Sequence, residues 1–279
     1  MRKRIVLMLS ALFIIIPSLS HAQLDLEQEV LVIPDTHDAE PYKWKKPWSI
    51  WDLWNYKLRL EYGTLIAGSD SEFTFYIKSK TAIHDVHVFI TDKGLNVFKH
   101  LRPESENGKY KFIFNAPSQG KYRFEFVFKT DKDVWINLSE NISIKEGVKN
   151  QILQEQDKDY SVNVKLIPEK VYAEHVVTLI YQVSHNGVPV RYPDKIDGSD
   201  ILLASWDESG KDFIFMASRQ NVDGQIAVSL VFMRPGMHRV FAEFKHNGAV
   251  RVFDHEVEVL KEPPVREHGI SYKDENPYD

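Results

Sequence analysis

The sequence of 279 residues contains no cysteine, no excess of basic residues and only one long apolar run. Without cysteine, a disulfide framework, a lipid-anchored amino-terminal cysteine and a cysteine nucleophile are excluded. The net charge of −5 gives no electrostatic footprint for nucleic acid or an anionic membrane. The apolar run, residues 5–16, is shorter than the roughly 20 residues of a membrane span. We therefore expect neither a nucleic-acid partner nor a membrane span.

The first residues follow the pattern of a secretory signal peptide. A basic stub at residues 1–4 (MRKR) precedes the apolar run, and residues 20–22 (SHA) offer small side chains at the cleavage positions. This pattern predicts a signal peptide over residues 1–22. The mature protein is then expected to begin near Gln23 and to be soluble in a bacterial periplasm or secreted.

Linear motifs of the common enzyme classes are also missing from the sequence. There is no Gly-x-Ser-x-Gly elbow, no phosphate-binding loop and no His-Glu-x-x-His helix. These absences favour a non-catalytic protein that acts by binding. An enzyme remains the distant alternative, because a β-sandwich can host a site that no linear motif reveals.

Short runs of aromatic and β-branched residues that alternate with polar ones are abundant. Examples are residues 72–77 (EFTFYI), 122–128 (YRFEFVF) and 239–244 (RVFAEF). Such runs, bounded by Gly, Pro, Asn or Asp, predict half-buried strands of antiparallel sheets. The fold class is therefore expected to be all-β.

The sequence repeats itself at an offset of 116 residues. Glycines at turns and the phase of the following strands align without a gap, which indicates that turn geometry is repeated. This repeat predicts two tandem immunoglobulin-like β-sandwiches of roughly 90–100 residues each. The aligned pairs include Gly94 with Gly210, Gly108 with Gly224, Gly120 with Gly236, and Arg123 with Arg239.

The repeat and the composition of the remaining segments define an expected domain organisation. The segment between the copies is polar and charged, so we expect each sandwich to fold separately. The predicted units are a signal peptide at 1–22, a Trp-rich amino-terminal strap at 23–55, a first sandwich at 56–145, a linker at 146–159, a second sandwich at 160–261 and a disordered tail at 262–279.

The strap holds four of the six tryptophans, Trp44, Trp48, Trp51 and Trp54. One interpretation is an exposed aromatic platform that binds a sugar or a protein partner, because Trp is enriched at binding hot spots. The other is that these rings form one face of a short segment packed on a sandwich, where large aromatics supply core area. Both interpretations stay open at this point.

Three of the eleven histidines, His84, His87 and His100, surround one predicted hairpin. A turn at residues 92–94 would place His87 opposite His100, with the two Cβ atoms about 5 Å apart, close enough to share a metal ion. His84 has the opposite parity and faces away in a regular strand, although a bulge would turn it back. The hairpin therefore predicts a copper or zinc site in which His84 is an optional third ligand.

Short motifs around these histidines carry a family resemblance. His84, residues 100–103 (HLRP) and residues 120–124 (GKYRF) fit a leading histidine, a His-x-His-Pro strand end and a closing Gly-x-Tyr-Arg-x-Phe strand. In this combination the first copy resembles the periplasmic, copper-associated immunoglobulin-like domains related to the YtkA-like group. The resemblance implies the sandwich fold and a metal site. Arg102 stands where that family has its second histidine, and a guanidinium cannot be a ligand.

The second copy resembles the same family in its scaffold. Residues 186–190 (NGVPV) and 234–244 fit the pattern, whereas Asp200, Met216 and Ser218 occupy the three histidine positions. Two hypotheses follow. In the first, the protein binds copper or zinc weakly at the hairpin of the first copy. In the second, the histidines bond locally, and the protein is a structural adaptor that binds an envelope protein through sandwich edges and the Trp-rich strap.

Overall fold

The computed structural model describes residues 56–147 and 157–261. Within these ranges all regular elements are β-strands, so none of the described residues forms a helix that could cross a membrane. The expected all-β fold of two immunoglobulin-like sandwiches is confirmed. Outside the described residues lie the predicted signal peptide at 1–22, the tail at 262–279 and the strap at 23–55 with Trp44, Trp48, Trp51 and Trp54.

Residues 56–147 contain ten strands, of which eight form two facing sheets and two form a small separate pair. These are β1 (Lys57–Tyr62), β2 (Ile66–Ala67), β3 (Asp70–Lys78), β4 (Ile83–Asp92), β5 (Phe98–Leu101), β6 (Glu104–Glu106), β7 (Lys109–Asn115), β8 (Gly120–Thr130), β9 (Trp135–Ile144) and β10 (Glu146–Gly147). One sheet has the order β1-β3-β7-β6 and the other β5-β4-β8-β9. β10, formed by the first two residues of the predicted linker, pairs with β2 in parallel.

Alternation of side chains along each strand builds the core of this first sandwich. On β7, Phe112 and Phe114 point inward and are buried, whereas Lys111 and Ile113 point outward. Phe112 lies opposite Phe73 of β3, and the two rings stack with centroids 5.0 Å apart. Burying each such ring contributes roughly 1.5–3 kcal/mol, so the aromatic alternation read from the sequence also stabilises the sandwich.

Residues 157–261 form a second sandwich of the same kind. Its strands are β11 (Tyr160–Ile167), β12 (Val171–Tyr172), β13 (Val176–His185), β14 (Val188–Pro189), β15 (Ile201–Asp207), β16 (Phe213–Ser218), β17 (Asn221–Val222), β18 (Gln225–Val231), β19 (Gly236–His246) and β20 (Ala249–Leu260). One sheet has the order β11-β13-β18-β17, with β14 on β13. The other has the order β12-β20-β19-β15-β16.

The 116-residue offset of the sequence is also the offset between strands. The bounds of β18 and β19 are those of β7 and β8 moved by this offset. The turn before each pair is repeated as well, with positive φ at Asn107-Gly108 (51° and 77°) and at Asp223-Gly224 (54° and 88°). Two residues with positive φ are typical of a tight hairpin turn. The copies differ most between β13 and β15, where residues 186–200 replace a connection of residues 79–82.

The two sandwiches contact each other through corresponding sheets. β4, β5, β8 and β9 of the first sandwich face β15, β16 and β19 of the second. At the centre, Phe98 stacks on Phe241 with centroids 4.5 Å apart and planes 7° apart, and Trp206 is fully buried. We call the shared apolar group the interface cluster. Its members are Phe89, Leu95, Phe98, Val127, Leu202, Ala204, Trp206, Phe215 and Phe241.

Candidate functional site at the contact between the sandwiches

The hairpin of β4 and β5 is present, but its register differs from the predicted one. Phe89, not His87, lies opposite His100. The turn is longer than expected because the carboxylate of Asp92 accepts hydrogen bonds from the backbone N–H groups of Asn96 and Val97, at 2.6 and 2.8 Å. The predicted pairing of His87 with His100 was therefore wrong by two residues.

His87 and His100 nevertheless lie together as diagonal neighbours on one sheet face. Nδ1 of His87 is 2.8 Å from Nε2 of His100, and the rings stack with centroids 5.0 Å apart and planes 11° apart. This distance is a hydrogen bond between the two imidazoles. The structure thus brings together two of the three predicted site residues.

His84 occupies the end of β4, beyond an irregularity. The register of β4 against β8 shifts between His84 and His87, and Asp85 there has a positive φ of 50°. The shift returns His84 to the face of His87, because their partners Lys129 and Val127 are two residues apart on β8. His84 is half-exposed and bonds locally, with Nε2 3.0 Å from the carbonyl oxygen of residue 130.

The second sandwich adds a carboxylate to the histidine pair. Nδ1 of His100 donates to Oε2 of Glu243 at 2.5 Å, and both side chains are more than nine-tenths buried. The chain of contacts from His87 through His100 to Glu243 therefore crosses the contact between the sandwiches. Sequence reasoning missed Glu243, which is 143 positions from His100. The only sequence signal was an acidic residue within the alternating run that forms β19.

Burial keeps His87 neutral. The pKa of His87 is lowered from 6.5 to about 2, first by burial and then by the charges of Arg102, His100 and Lys129. A neutral imidazole has one N–H. When the N–H of His100 is the one at Nδ1 that donates to Glu243, its Nε2 accepts a hydrogen bond from Nδ1 of His87.

Arg102 also joins the two sandwiches. Its guanidinium forms an ion pair with the carboxylate of Asp197, which lies in the connection between β13 and β15. Burial lowers the pKa of Arg102, while the charges of Asp85 and Glu243 raise it. The cation that replaces a histidine of the family pattern thus has a structural partner in the other sandwich.

A second buried carboxyl group, that of Glu125, lies in the same contact. It accepts hydrogen bonds from Nδ2 of Asn137 at 2.9 Å and from the hydroxyl of Ser139, both on the neighbouring strand β9. Nε1 of Trp206 donates to it from the second sandwich at 3.3 Å. Burial raises the pKa of Glu125, and its donors and Arg123 lower it. The contact therefore contains two separate polar groups beside the interface cluster.

In the two described ranges, no three His, Cys, Asp or Glu side chains are placed to hold a metal ion together. Two imidazole nitrogens on one zinc ion stand roughly 3.3 Å apart, given bonds of about 2.0–2.1 Å to each. The nitrogens of His87 and His100 are closer and bonded to each other. A metal ion there would have to separate them, and the metal site stays a prediction.

Comparisons with known proteins match the second sandwich to a sequence-family model. A family model described as "Domain of unknown function (DUF8832)" matches residues 154–261. No curated protein matches the chain. Several solved structures are similar in fold. The fibronectin(III)-like modules of Clostridium thermocellum CbhA are 14% identical, with 76% of this chain and 97% of that chain covered and a TM-score of 0.24.

Two further structures show the same weak likeness. Red sea bream transglutaminase is 13% identical over 75% of this chain and 32% of that chain, with a TM-score of 0.24. The Escherichia coli adhesin FdeC is 11% identical over 74% of this chain and 64% of that chain, with a TM-score of 0.26. Such values carry no argument about function, which has to come from the residues of this chain.

Proposed function

We propose that this chain is an exported, non-catalytic binding protein of the cell envelope that contacts a protein partner through one end of its second sandwich. The observation that carries this proposal is a group of exposed apolar side chains at that end. Tyr192 is 78% exposed, and Val188, Val222 and Val250 are each more than half exposed. Neighbouring exposed apolar side chains mark interaction sites more often than single ones do.

The backbone at this end is held in place by hydrogen bonds between loops. Asp194 is bonded through its backbone to Lys245, and its carboxylate accepts from the N–H of Gly248 at 2.9 Å. Nδ2 of Asn221 donates to the carbonyl of Arg191 at 3.0 Å. The long connection at residues 186–200 is thereby tied to the turns that follow β17 and β19. A pre-ordered surface loses little conformational entropy on binding.

The contact between the sandwiches also favours the Tyr192 end as the surface that binds a partner. Corresponding sheets cover each other, so the aromatic residues of those sheets are buried while the sandwiches are in contact. The connection at residues 186–200 is also where the second copy departs most from the first. Because loops on a fixed scaffold commonly carry binding residues, the departure supports a role specific to the second copy.

Site-specific photo-crosslinking in the producing cells tests this proposal. A benzophenone amino acid replaces Tyr192, and the matched control replaces Ile113, which is 59% exposed on the outer sheet of the first sandwich. We expect one discrete crosslinked species from position 192 that is lost when Val188 and Val222 are both changed to Asp. Equal crosslinking from both positions, or none from position 192, would contradict the proposal.

Weak copper or zinc binding by the first sandwich is a second candidate function. It is supported by the adjacency of His87 and His100 and by the resemblance to copper-associated domains. Calorimetric titration with copper or zinc salts should show uptake that is lost in His100→Ala and kept in the control His185→Ala. Equal uptake by wild type and His100→Ala would make the hairpin histidines bystanders.

A further inference from the structure

The polar groups in the contact between the sandwiches are organised mainly within each sandwich. Glu125 keeps Asn137, Ser139 and Arg123 as partners on its own sheet, and among residues 157–261 its one hydrogen bond comes from Trp206. A carboxyl group arranged in this way stays satisfied when the other sandwich leaves. Separation would cost it a single hydrogen bond, which water can replace.

The histidine pair likewise has most of its polar contacts within one sandwich. His87 and His100 are both in the first sandwich and remain bonded to each other if the second sandwich moves away. The bond from His100 to Glu243 crosses the contact, and so does the half-exposed ion pair of Arg102 and Asp197. Each of these bonds across the contact joins groups that water solvates well.

The closed contact also leaves buried polar atoms poorly satisfied, among them Oδ1 of Asn137 and a nitrogen of Arg123. Nη1 of Arg123 is buried and has no hydrogen-bond partner among the described residues. It faces the turn at Gly210 of the second sandwich. A buried donor without a partner costs about 1–3 kcal/mol, and opening would hydrate it. Charged residues are depleted in the cores of permanent interfaces, whereas contacts between domains that move tend to be more polar.

From these observations we propose that the contact between the sandwiches is a reversible closure, which opens as a unit while both sandwiches stay folded. Closure hides the aromatic residues of the interface cluster, and opening exposes both faces at the same moment. The proposal does not depend on the partner of the Tyr192 end. It assigns the protein a minor open state in which the corresponding sheets of both copies are accessible.

The absence of cysteine allows a direct test in the full-length chain. Single cysteines are introduced at Ala204 in the interface cluster and at Ala242 in the core of the second sandwich, both 1% exposed. The rate of thiol labelling under native conditions then measures how often each site opens. We expect Ala204→Cys to react at least about tenfold faster than Ala242→Cys, because a tenfold ratio corresponds to an opening about 1.4 kcal/mol easier than exposure of the core.

A second pair of cysteine substitutions, in the first sandwich, controls for the possibility that one substitution itself disturbs the contact. Val127→Cys lies in the interface cluster, and Ala116→Cys lies in the core of the first sandwich. If the faces separate as a unit, Val127→Cys and Ala204→Cys must react at similar rates, both faster than Ala116→Cys. Interface and core cysteines that react at one common rate would overturn the proposal, since the contact would then open only with global unfolding. Clearly different rates at positions 127 and 204 would also overturn the proposal, because they would show that each site opens by its own local fluctuation.

Discussion

His100 and Glu243, which belong to different sandwiches, share a hydrogen bond of 2.5 Å between Nδ1 and Oε2. Both side chains are more than nine-tenths buried, so neither finds an adequate substitute in water while the sandwiches are in contact. The bond lies beside the stacked rings of Phe89 and His100, whose centroids are 4.3 Å apart. This hydrogen bond couples His100, which was predicted from the sequence as a site residue, to Glu243, which no local sequence pattern connected with His100.

Replacing Glu243 should destabilise the protein through this bond. Glu243→Ala leaves Nδ1 of His100 without an acceptor, and we expect the free energy of unfolding to fall by about 2–4 kcal/mol. Urea denaturation measures the change, with the exposed Glu258→Ala as a control that should stay within about 0.5 kcal/mol. In a double-mutant cycle with His100→Ala, the two losses should not add. Additive losses would show that the pair is not coupled.

Much of the fold could be predicted because it depends on local patterns. Alternating aromatic runs place the strands, and glycines at turns repeat at the offset that separates β7 from β18. The register of the hairpin could not be predicted as reliably. It depends on the Asp92 carboxylate, which extends the turn by bonding two backbone N–H groups, and composition does not distinguish this turn from a shorter one.

Only part of the candidate site could be predicted from the sequence. His87 and His100 were selected because they flank one turn, and a hairpin brings such residues together whatever its detailed register. Glu243, Asp197 and Trp206 come from the other sandwich, and their positions follow from how two folded sheets pack. That packing depends on the shapes of whole faces, such as the stack of Phe98 on Phe241, and no spacing along the chain encodes it.

Burial of neutral His87 should make stability depend on pH in the acid range. Its pKa is about 2 in the folded protein and 6.5 when unfolded. Below pH 6.5 the unfolded chain binds a proton that the folded chain does not, so stability is fully present above pH 6.5 and is lost as the pH falls toward 2. The loss is about 1.4 kcal/mol per pH unit, or about 2 kcal/mol between pH 6.5 and 5.

Urea denaturation of wild type and His87→Phe at pH 7, 6 and 5 checks this slope. His255 contributes a slope of the same sign between pH 6.5 and about 4. The raised pKa of Glu125 acts in the opposite direction. The quantity to compare is therefore the difference in free energy of unfolding between wild type and variant. This difference should shrink as the pH falls. A difference that is constant from pH 7 to 5 would mean that His87 titrates normally in the folded protein.

Removing one ring from the interface cluster should weaken the coupling between the two sandwiches. Phe98→Ala deletes the stack on Phe241 and leaves a cavity between the sheets, for which we expect a loss of about 3–5 kcal/mol. Ile113→Ala, on the exposed outer face, serves as the control and should change stability little. If the contact contributes to stability as inferred, the thermal transition of Phe98→Ala should separate into two steps. One unchanged transition would show that the cluster adds little.

The turn at Gly210 offers a separate test of how closely the sandwiches fit. Gly210 has a φ of 64°, and a Cβ added there would lie 2.9 Å from Cζ of Arg123 in the first sandwich. Gly187 has a similar φ of 76°, and no heavy atom of the described residues lies within 4 Å of its added Cβ. Backbone strain alone should therefore cost Gly187→Ala about 1 kcal/mol.

Gly210→Ala should lose about 2–3 kcal/mol, because it adds to this strain the displacement of Arg123 from its ion pair with Glu125. Truncating the Arg123 side chain should remove the additional loss of stability. In an Arg123→Ala background, Gly210→Ala should cost no more than Gly187→Ala does. Urea denaturation of the four variants measures both differences. Equal losses for the two glycine substitutions in the wild-type background would mean that the turn and the first sandwich are not in close contact in solution.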